Sequence, residues 1–264
     1  MEIIIKDNFD FVVEEIAKEI ENLIKEKPNA VLGLPTGNTP LKMYSKLIEK
    51  GKKGEIDFSN VRTFNLDEYA EIKADDPSSF RYYMFQNFFN HINIKKENIH
   101  FPPSELKNIY ENCKKYDKTI ENLGGIDLMI LGIGRNGHIG FNEPTSSLDS
   151  RTRVKTLTEE TLKINNIKFE GVKYPDLAVT MGIKTILSSK RIILIAEGEG
   201  KAEAIKKTVE EPVGAMWPSS VLQMHEKVKI IIDEKAASKL KLKDYYKRIY
   251  SRKVYVDALL KEKN

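Results

Sequence analysis

The chain has 264 residues, with 43 Lys+Arg against 39 Asp+Glu for a formal charge of +4, and 41% of it is hydrophobic. That balance excludes a disordered or membrane-embedded chain and is ample for a sizeable core. A single cysteine, Cys113, excludes an internal disulfide framework and a multi-cysteine zinc cluster.

In chain order, Met1–Asp7 shows no basic region followed by a long apolar one, and no later apolar run approaches the ~18 residues that span a bilayer. The expected location is the cytoplasm, with no membrane partner. Glu2–Ile5 is a weak strand candidate. Phe9–Glu26 then sets Phe9, Val12, Val13, Ile16, Ile20, Leu23 and Ile24 on one helical face. Val31–Leu34 predicts a strand and Leu41–Lys50 a helix. Val61–Leu66 predicts a strand, followed by helices over Ser78–Asn90 and Leu106–Leu123. Further strands are expected at Asp127–Ile133, Leu177–Met181, Arg191–Ala196 and Val228–Ile232, with helices at Lys201–Glu210 and Ala236–Leu260. Short, continuous apolar strands suit a largely parallel sheet buried on both faces. Their alternation with helices predicts a three-layer α/β fold with an open sheet flanked by helices. No Pro/Gly/Ser-rich linker or repeat divides the chain, so residues 1–264 read as one domain.

The basic excess is confined to the end. Lys239–Asn264 holds nine Lys/Arg and three Asp/Glu, which leaves the rest slightly acidic. A solvated helix face accounts for this, whereas a nucleic-acid tail would need a glycine or aromatic stacking pattern that is missing. No nucleic-acid partner is expected.

Ligands of such sheets sit beyond the carboxyl ends of the strands, which directs attention to four loops. The first is Gly33-Leu34-Pro35-Thr36-Gly37-Asn38-Thr39-Pro40. Pro40 suits the first helical position, Thr39 can cap the helix, and Gly37 and Asn38 tolerate positive φ. Backbone N–H groups converging at a helix start can hold a phosphate, although a plain turn would use the same residues. The second, Thr63–Tyr69, contains Asp67 and Glu68, which should point different ways as strand gives way to loop. Either can serve proton transfer or merely cap the next turn.

The third loop, Gly132–Pro144, contains G-x-G-x-x-G at Gly132, Gly134 and Gly137, yet Gly140 and Pro144 follow where a dinucleotide-binding motif requires a helix. A nicotinamide cofactor is therefore not expected. In the same loop, His138 and Glu143 can face one cleft, where the carboxylate would orient the imidazole for proton exchange; a surface histidine on a glycine turn is the plainer reading. The fourth is Glu197–Lys201. A lysine at a helix start opposes the helix dipole, a conflict that an anion would relieve, though a solvated stem also accommodates it. The four histidines, His91, His100, His138 and His225, lie far apart without paired-ligand spacing, so no metal is expected.

Taken together, GLPTGNTP (Gly33–Pro40), FNLDEY (Phe64–Tyr69), GHIGFNEP (Gly137–Pro144), SSLDSRTRVKTLT (Ser146–Thr158) and MWPSSVLQMH (Met216–His225) resemble, in order, the motifs of the glucosamine-6-phosphate deaminase family. The resemblance implies a Rossmann-like fold and conversion of D-glucosamine 6-phosphate and water to fructose 6-phosphate and ammonia, with no cofactor. It implies that His138 opens the sugar ring with Glu143 as its partner and that Asp67 moves the C2 proton to C1. The phosphate would rest on Thr36, Gly37, Asn38 and Thr39 and on Lys201. Remote binding of this kind helps to orient the reacting carbons.

Two positions depart from the family pattern. Many members carry Asp where this chain has Asn136, whose amide can accept a bond from the imidazole without stabilising its charge. Many also hold the phosphate with an Arg in a segment that here reads Asn165-Asn166-Ile167-Lys168-Phe169, where Lys168 would supply charge without the bidentate fork. Ser146, Arg153, Lys155 and Thr156 match the site at which some members, assembled as hexamers, bind N-acetylglucosamine 6-phosphate as an activator. The resemblance therefore implies a homo-oligomer. The polar stretch Thr158–Lys173 is a lid candidate. The rival within this fold is a sugar-phosphate hydrolase such as a 6-phosphogluconolactonase, which has no need of a C2 base.

Overall fold

The computed structural model describes residues 1–165 and 176–261. From the N-terminus run β1 (Glu2–Lys6), α1 (Phe9–Glu26), β2 (Val31–Leu34), α2 (Asn38–Lys52), β3 (Arg62–Asn65) and β4 (Asp67–Tyr69). Next come α3 (Phe80–Asn87), β5 (Ile99–His100), α4 (Ile109–Asn122), β6 (Leu128–Leu131) and β7 (Arg153–Thr156). They are followed by α5 (Glu159–Asn165), β8 (Leu177–Thr180), α6 (Ile183–Leu187), β9 (Ile192–Ala196), α7 (Ala202–Val209), β10 (Val228–Asp233) and α8 (Lys243–Lys261).

Seven strands form one parallel sheet in the order β1-β10-β9-β6-β2-β3-β5. Neighbouring residues of a strand face opposite sides. Ile3, Val31, Met129, Leu131, Leu194 and Ile230 accordingly enter one core, with Ile186, Ile205 and Leu222. Ile4, Leu32, Ile130, Ile193, Ile195 and Ile231 enter the other, beneath Val12, Ile16 and Ile20 of α1 and Tyr44 of α2. This is the predicted three-layer α/β arrangement. No helix among the described residues is long and apolar enough to cross a membrane.

Three expectations are corrected. Leu177–Met181 does form a strand, but β8 lies in a separate antiparallel sheet of order β4-β8-β7. A strand covered on both sides is apolar in either sheet, so its composition carries no sign of direction. The Val61–Leu66 run does not end in a loop. At Leu66 the chain leaves the large sheet and continues as β4 of the small one, which puts Asp67 at the junction. Finally, the C-terminal helix begins at Lys243 rather than Ala236, because the Asp233 carboxylate accepts the Ala236 N–H (2.8 Å) and holds a turn there.

Helix starts shift for local reasons. Asn8 caps α1 by accepting from the Asp10 and Phe11 amides, and this helix has its predicted bounds. In α2 the cap residue is Gly37 at φ +109°, not Thr39, so Thr39 and Pro40 lie inside the first turn. Only glycine adopts that backbone without strain. Lys201 is the cap of α7, preceded by the 3₁₀ turn Glu199–Lys201.

Candidate active site

Several chain segments meet at the carboxyl ends of the central strands around a cleft of about 310 Å³. Its lining includes Pro35–Pro40, Leu66, Asp67, Gly132–Arg135, His138, Thr161 and Lys201. A larger and more open hollow of about 660 Å³ beside α1, lined by Lys6, Glu15 and Glu21, contains none of the predicted site residues.

The phosphate-loop candidate is held from behind by two tyrosines. Tyr44 Oη donates to the Pro35 carbonyl (2.5 Å) and Tyr83 Oη to the Gly37 carbonyl (2.6 Å). In a trans peptide the N–H points opposite to its C=O, so these bonds turn the Thr36 and Asn38 N–H groups away from the tyrosines. The first turn of α2 leaves its N–H groups without partners in the helix and has no acidic side chain to offset them. Burial pushes both phenols up, so they remain donors.

Asp67 and Glu68 diverge as expected. Glu68 is buried and accepts from the backbone N–H groups of Tyr69 (2.9 Å), Phe80 (2.9 Å) and Arg81 (2.8 Å), capping α3 together with Ser79. Its plainer reading, a cap, describes what it does. Asp67 is 6% exposed, faces the cleft and makes no hydrogen bond or ion pair to a side chain among the described residues. Burial, aided by the charge of Glu68, pushes its carboxyl up to about 8.

His138 lines the same cleft. Its Nδ1 stands 3.4 Å from Glu143 Oε2, within ion-pair range but without hydrogen-bond alignment. Gly134 allows the imidazole its place, since a Cβ there would lie 2.4 Å from the ring. Asn136 departs from the expected role. Its Oδ1 accepts the backbone N–H of His138 (3.2 Å) rather than a ring N–H, and its Nδ2 donates to Glu143 Oε2 (2.6 Å). Thr161 Oγ1 donates to the other oxygen, Oε1, at 2.5 Å. Burial opposes the Glu143 charge, but the His138 imidazole, Thr161 and Asn136 together outweigh it and hold the carboxyl at about 2.

Lys201 is half-buried, not solvated. Its Nζ donates to the Ile133 carbonyl (2.7 Å), and burial, with the charge of Arg135, lowers its pKa. Lys168 and the 166–173 part of the lid candidate lie outside the described residues. The late motif Met216–His225 supports the site from behind: the Ser219 N–H donates to Gly137 O (2.9 Å), and a Cβ on Gly137 would meet Trp217 at 2.7 Å.

The activator-site candidates lie on and before β7. Arg153 and Lys155 share one face of the edge strand β7, while Thr156 takes the other by alternation. Arg153 is already engaged, donating to Asn142 Oδ1 (2.9 Å), and Ser146 is buried with its hydroxyl unpaired.

The G-x-G-x-x-G stretch does not open a helix, since the next element after it is β7. Sequence reasoning missed Tyr44, Tyr83, Thr161 and Arg135. Of these only Arg135, a charged residue inside a glycine-rich loop, gave a signal.

Comparison with known proteins agrees with this geometry. Residues 6–231 match the family of glucosamine-6-phosphate isomerases and 6-phosphogluconolactonases. A glucosamine-6-phosphate deaminase of Thermoanaerobacter sp. (strain X514) is 53% identical over 239 residues, covering 90% of this chain and 94% of that one. One from Hahella chejuensis is 49% identical over 259 residues, covering 98% and 99%. Among solved structures, a glucosamine-6-phosphate deaminase described as monomeric superposes with a TM-score of 0.85 at 42% identity, over 90% of this chain and 99% of that one. A 6-phosphogluconolactonase from Thermotoga maritima shares the fold, with a TM-score of 0.70 at 22% identity over 88% and 99% of the two chains.

Proposed function

The chain belongs to the glucosamine-6-phosphate isomerase/6-phosphogluconolactonase family, and from that premise we propose that it converts D-glucosamine 6-phosphate and water to D-fructose 6-phosphate and ammonia. The observation that carries this reading is Asp67, a buried carboxyl with no cationic partner among the described residues, facing one cleft with His138. An ammonium group on C2 would favour the ionised form of this carboxyl beside the carbon to be deprotonated. A lactone supplies none and needs no such base.

The phosphate is held by the first turn of α2 and by Lys201. His138 takes the proton of the anomeric hydroxyl and returns it to the ring oxygen as the C1–O5 bond breaks, leaving an aldehyde. Glu143 steadies the transient imidazolium, and Asn136 and Thr161 steady Glu143. Asp67 then removes the C2 proton to give an enolamine and delivers it to C1, which leaves an imine at C2. Water adds to the imine carbon, and ammonia departs. The open-chain carbonyl accepts the electron pair of the breaking C–H bond and its oxygen takes a proton from the C2 ammonium, so the enolamine forms with all protons accounted for between Asp67 and the substrate itself.

A cytoplasmic homo-oligomer is part of the same proposal. So is activation by N-acetylglucosamine 6-phosphate, with Arg153 and Lys155 as its nearest matched donors; equal kinetics with and without that compound would remove it. The primary test is ammonia release from glucosamine 6-phosphate. Asp67→Asn should cut release by about 10²–10⁴-fold while leaving substrate binding largely intact. Ammonia release retained in that variant overturns the assignment of the base.

A further inference from the structure

Arg135 stands at the mouth of the cleft, between the glycine turn of its own loop and the start of α7. A Cβ built on Gly200 would lie 3.8 Å from Arg135 Nε and 3.9 Å from its Nη2, so the guanidinium lies over the 3₁₀ turn that delivers Lys201. Its charge is close enough to depress the Lys201 ammonium. Lys201 is itself drawn to this loop through the Ile133 carbonyl. Among the described residues no carboxylate lies within ion-pair distance of either cation, although 22 such contacts occur elsewhere on the molecule. Both side chains line the cleft with the first turn of α2.

Two like charges and the positive end of a helix thus face one space. Like charges brought together repel unless a shared counter-ion joins them, and a phosphate has oxygens enough for all three donors. We propose that Arg135 is the second cation of the phosphate subsite, gripping the phosphate with Lys201 and making the enzyme discriminate against the unphosphorylated sugar. The inference rests on reading the cleft as a sugar-phosphate site. The planar guanidinium can take two oxygens at once, fixing the phosphate's rotation as well as its position.

The test uses the full chain and Arg135→Gln, a substitution at an exposed side chain, with the thermal midpoint confirming an intact fold. Inorganic phosphate is the probe, as a competitive inhibitor and by titration calorimetry. Its affinity should fall by about tenfold, the loss of one charge-assisted contact. The KM for glucosamine 6-phosphate should rise by a similar factor with kcat little changed, and reaction with unphosphorylated glucosamine should not alter. The alkaline loss of phosphate affinity should also move to higher pH, because Lys201 is relieved of its neighbour. Arg135→Lys should recover part of the affinity. Unchanged phosphate affinity in Arg135→Gln, or equal losses for phosphorylated and unphosphorylated sugar, overturns the inference. If the parent enzyme binds phosphate but releases no ammonia, the deaminase reading fails, while the phosphate titration still decides the role of Arg135.

Discussion

Burial, and after it the charge of Glu68, raise the Asp67 carboxyl above the usual carboxylate range. Its folded value, about 8, lies above its ordinary 3.8. Between those values the folded protein retains a proton that the unfolded chain has released, so this group's contribution to stability declines as pH rises through that window. Asp67→Asn should therefore melt higher than the parent at pH 8, with the difference vanishing near pH 4, while turnover falls by about 10²–10⁴-fold. In the parent, kcat/KM should drop as pH falls below about 8, as the proposed base becomes protonated. Glu143 behaves oppositely. Its depressed value of about 2 gives stability that is present above its ordinary range and lost as pH falls through about 2. Asn136→Asp would replace a donor 2.6 Å from Glu143 by a second carboxylate. That variant should melt lower than the parent above pH 5, by roughly 1–3 kcal/mol for a broken charge-assisted bond, with the deficit shrinking as pH falls toward 2 and the carboxylates are protonated. The sequence made Asp67, His138 and Glu143 legible because a carboxylate at a strand end and a histidine in a glycine loop are chemically conspicuous. It could not reveal that Asn136 serves Glu143 and not the ring, since that depends on which of two amide atoms meets which neighbour.

Among the elements, the start of α2 depends on contacts made behind it. Removing the Tyr83 hydroxyl frees the Gly37 carbonyl, and with it the orientation of the Asn38 N–H. Tyr83→Phe should raise the KM for the sugar phosphate by about three- to tenfold, a hydrogen bond's worth, with kcat within about twofold; steady-state kinetics decide it. Strands and helices with strong patterns could be read directly: α1 has its predicted bounds, and β2, β9 and β10 match within a residue or two. β5, with two residues, and β7, reading Arg-Val-Lys-Thr, carry no apolar run and were illegible. The start of α2 was misplaced because Thr39 is the better capping residue, yet the positive φ of Gly37 fixes the turn two residues earlier.

At the scale of the whole molecule, two cores flank one sheet, and β6 lies at its centre between β9 and β2. Ile130 is fully buried there against the α1 and α2 layer. Ile130→Ala should destabilise the protein by about 2–5 kcal/mol in denaturant melts, with kcat of the remaining folded fraction preserved. The alternation of elements disclosed the large sheet, whereas the small one, assembled from segments far apart in the chain, left no periodic trace. The two sheets meet at Leu66. The loop after β2 and the turn before α7, the proposed phosphate grip, belong to the large sheet; Asp67, the proposed base, belongs to the small one. The seam between them thus acts as a caliper: it fixes how many carbons can separate the anchored group from the reacting centre, and a five-carbon homologue, held at its phosphate, would fall short of the carboxylate.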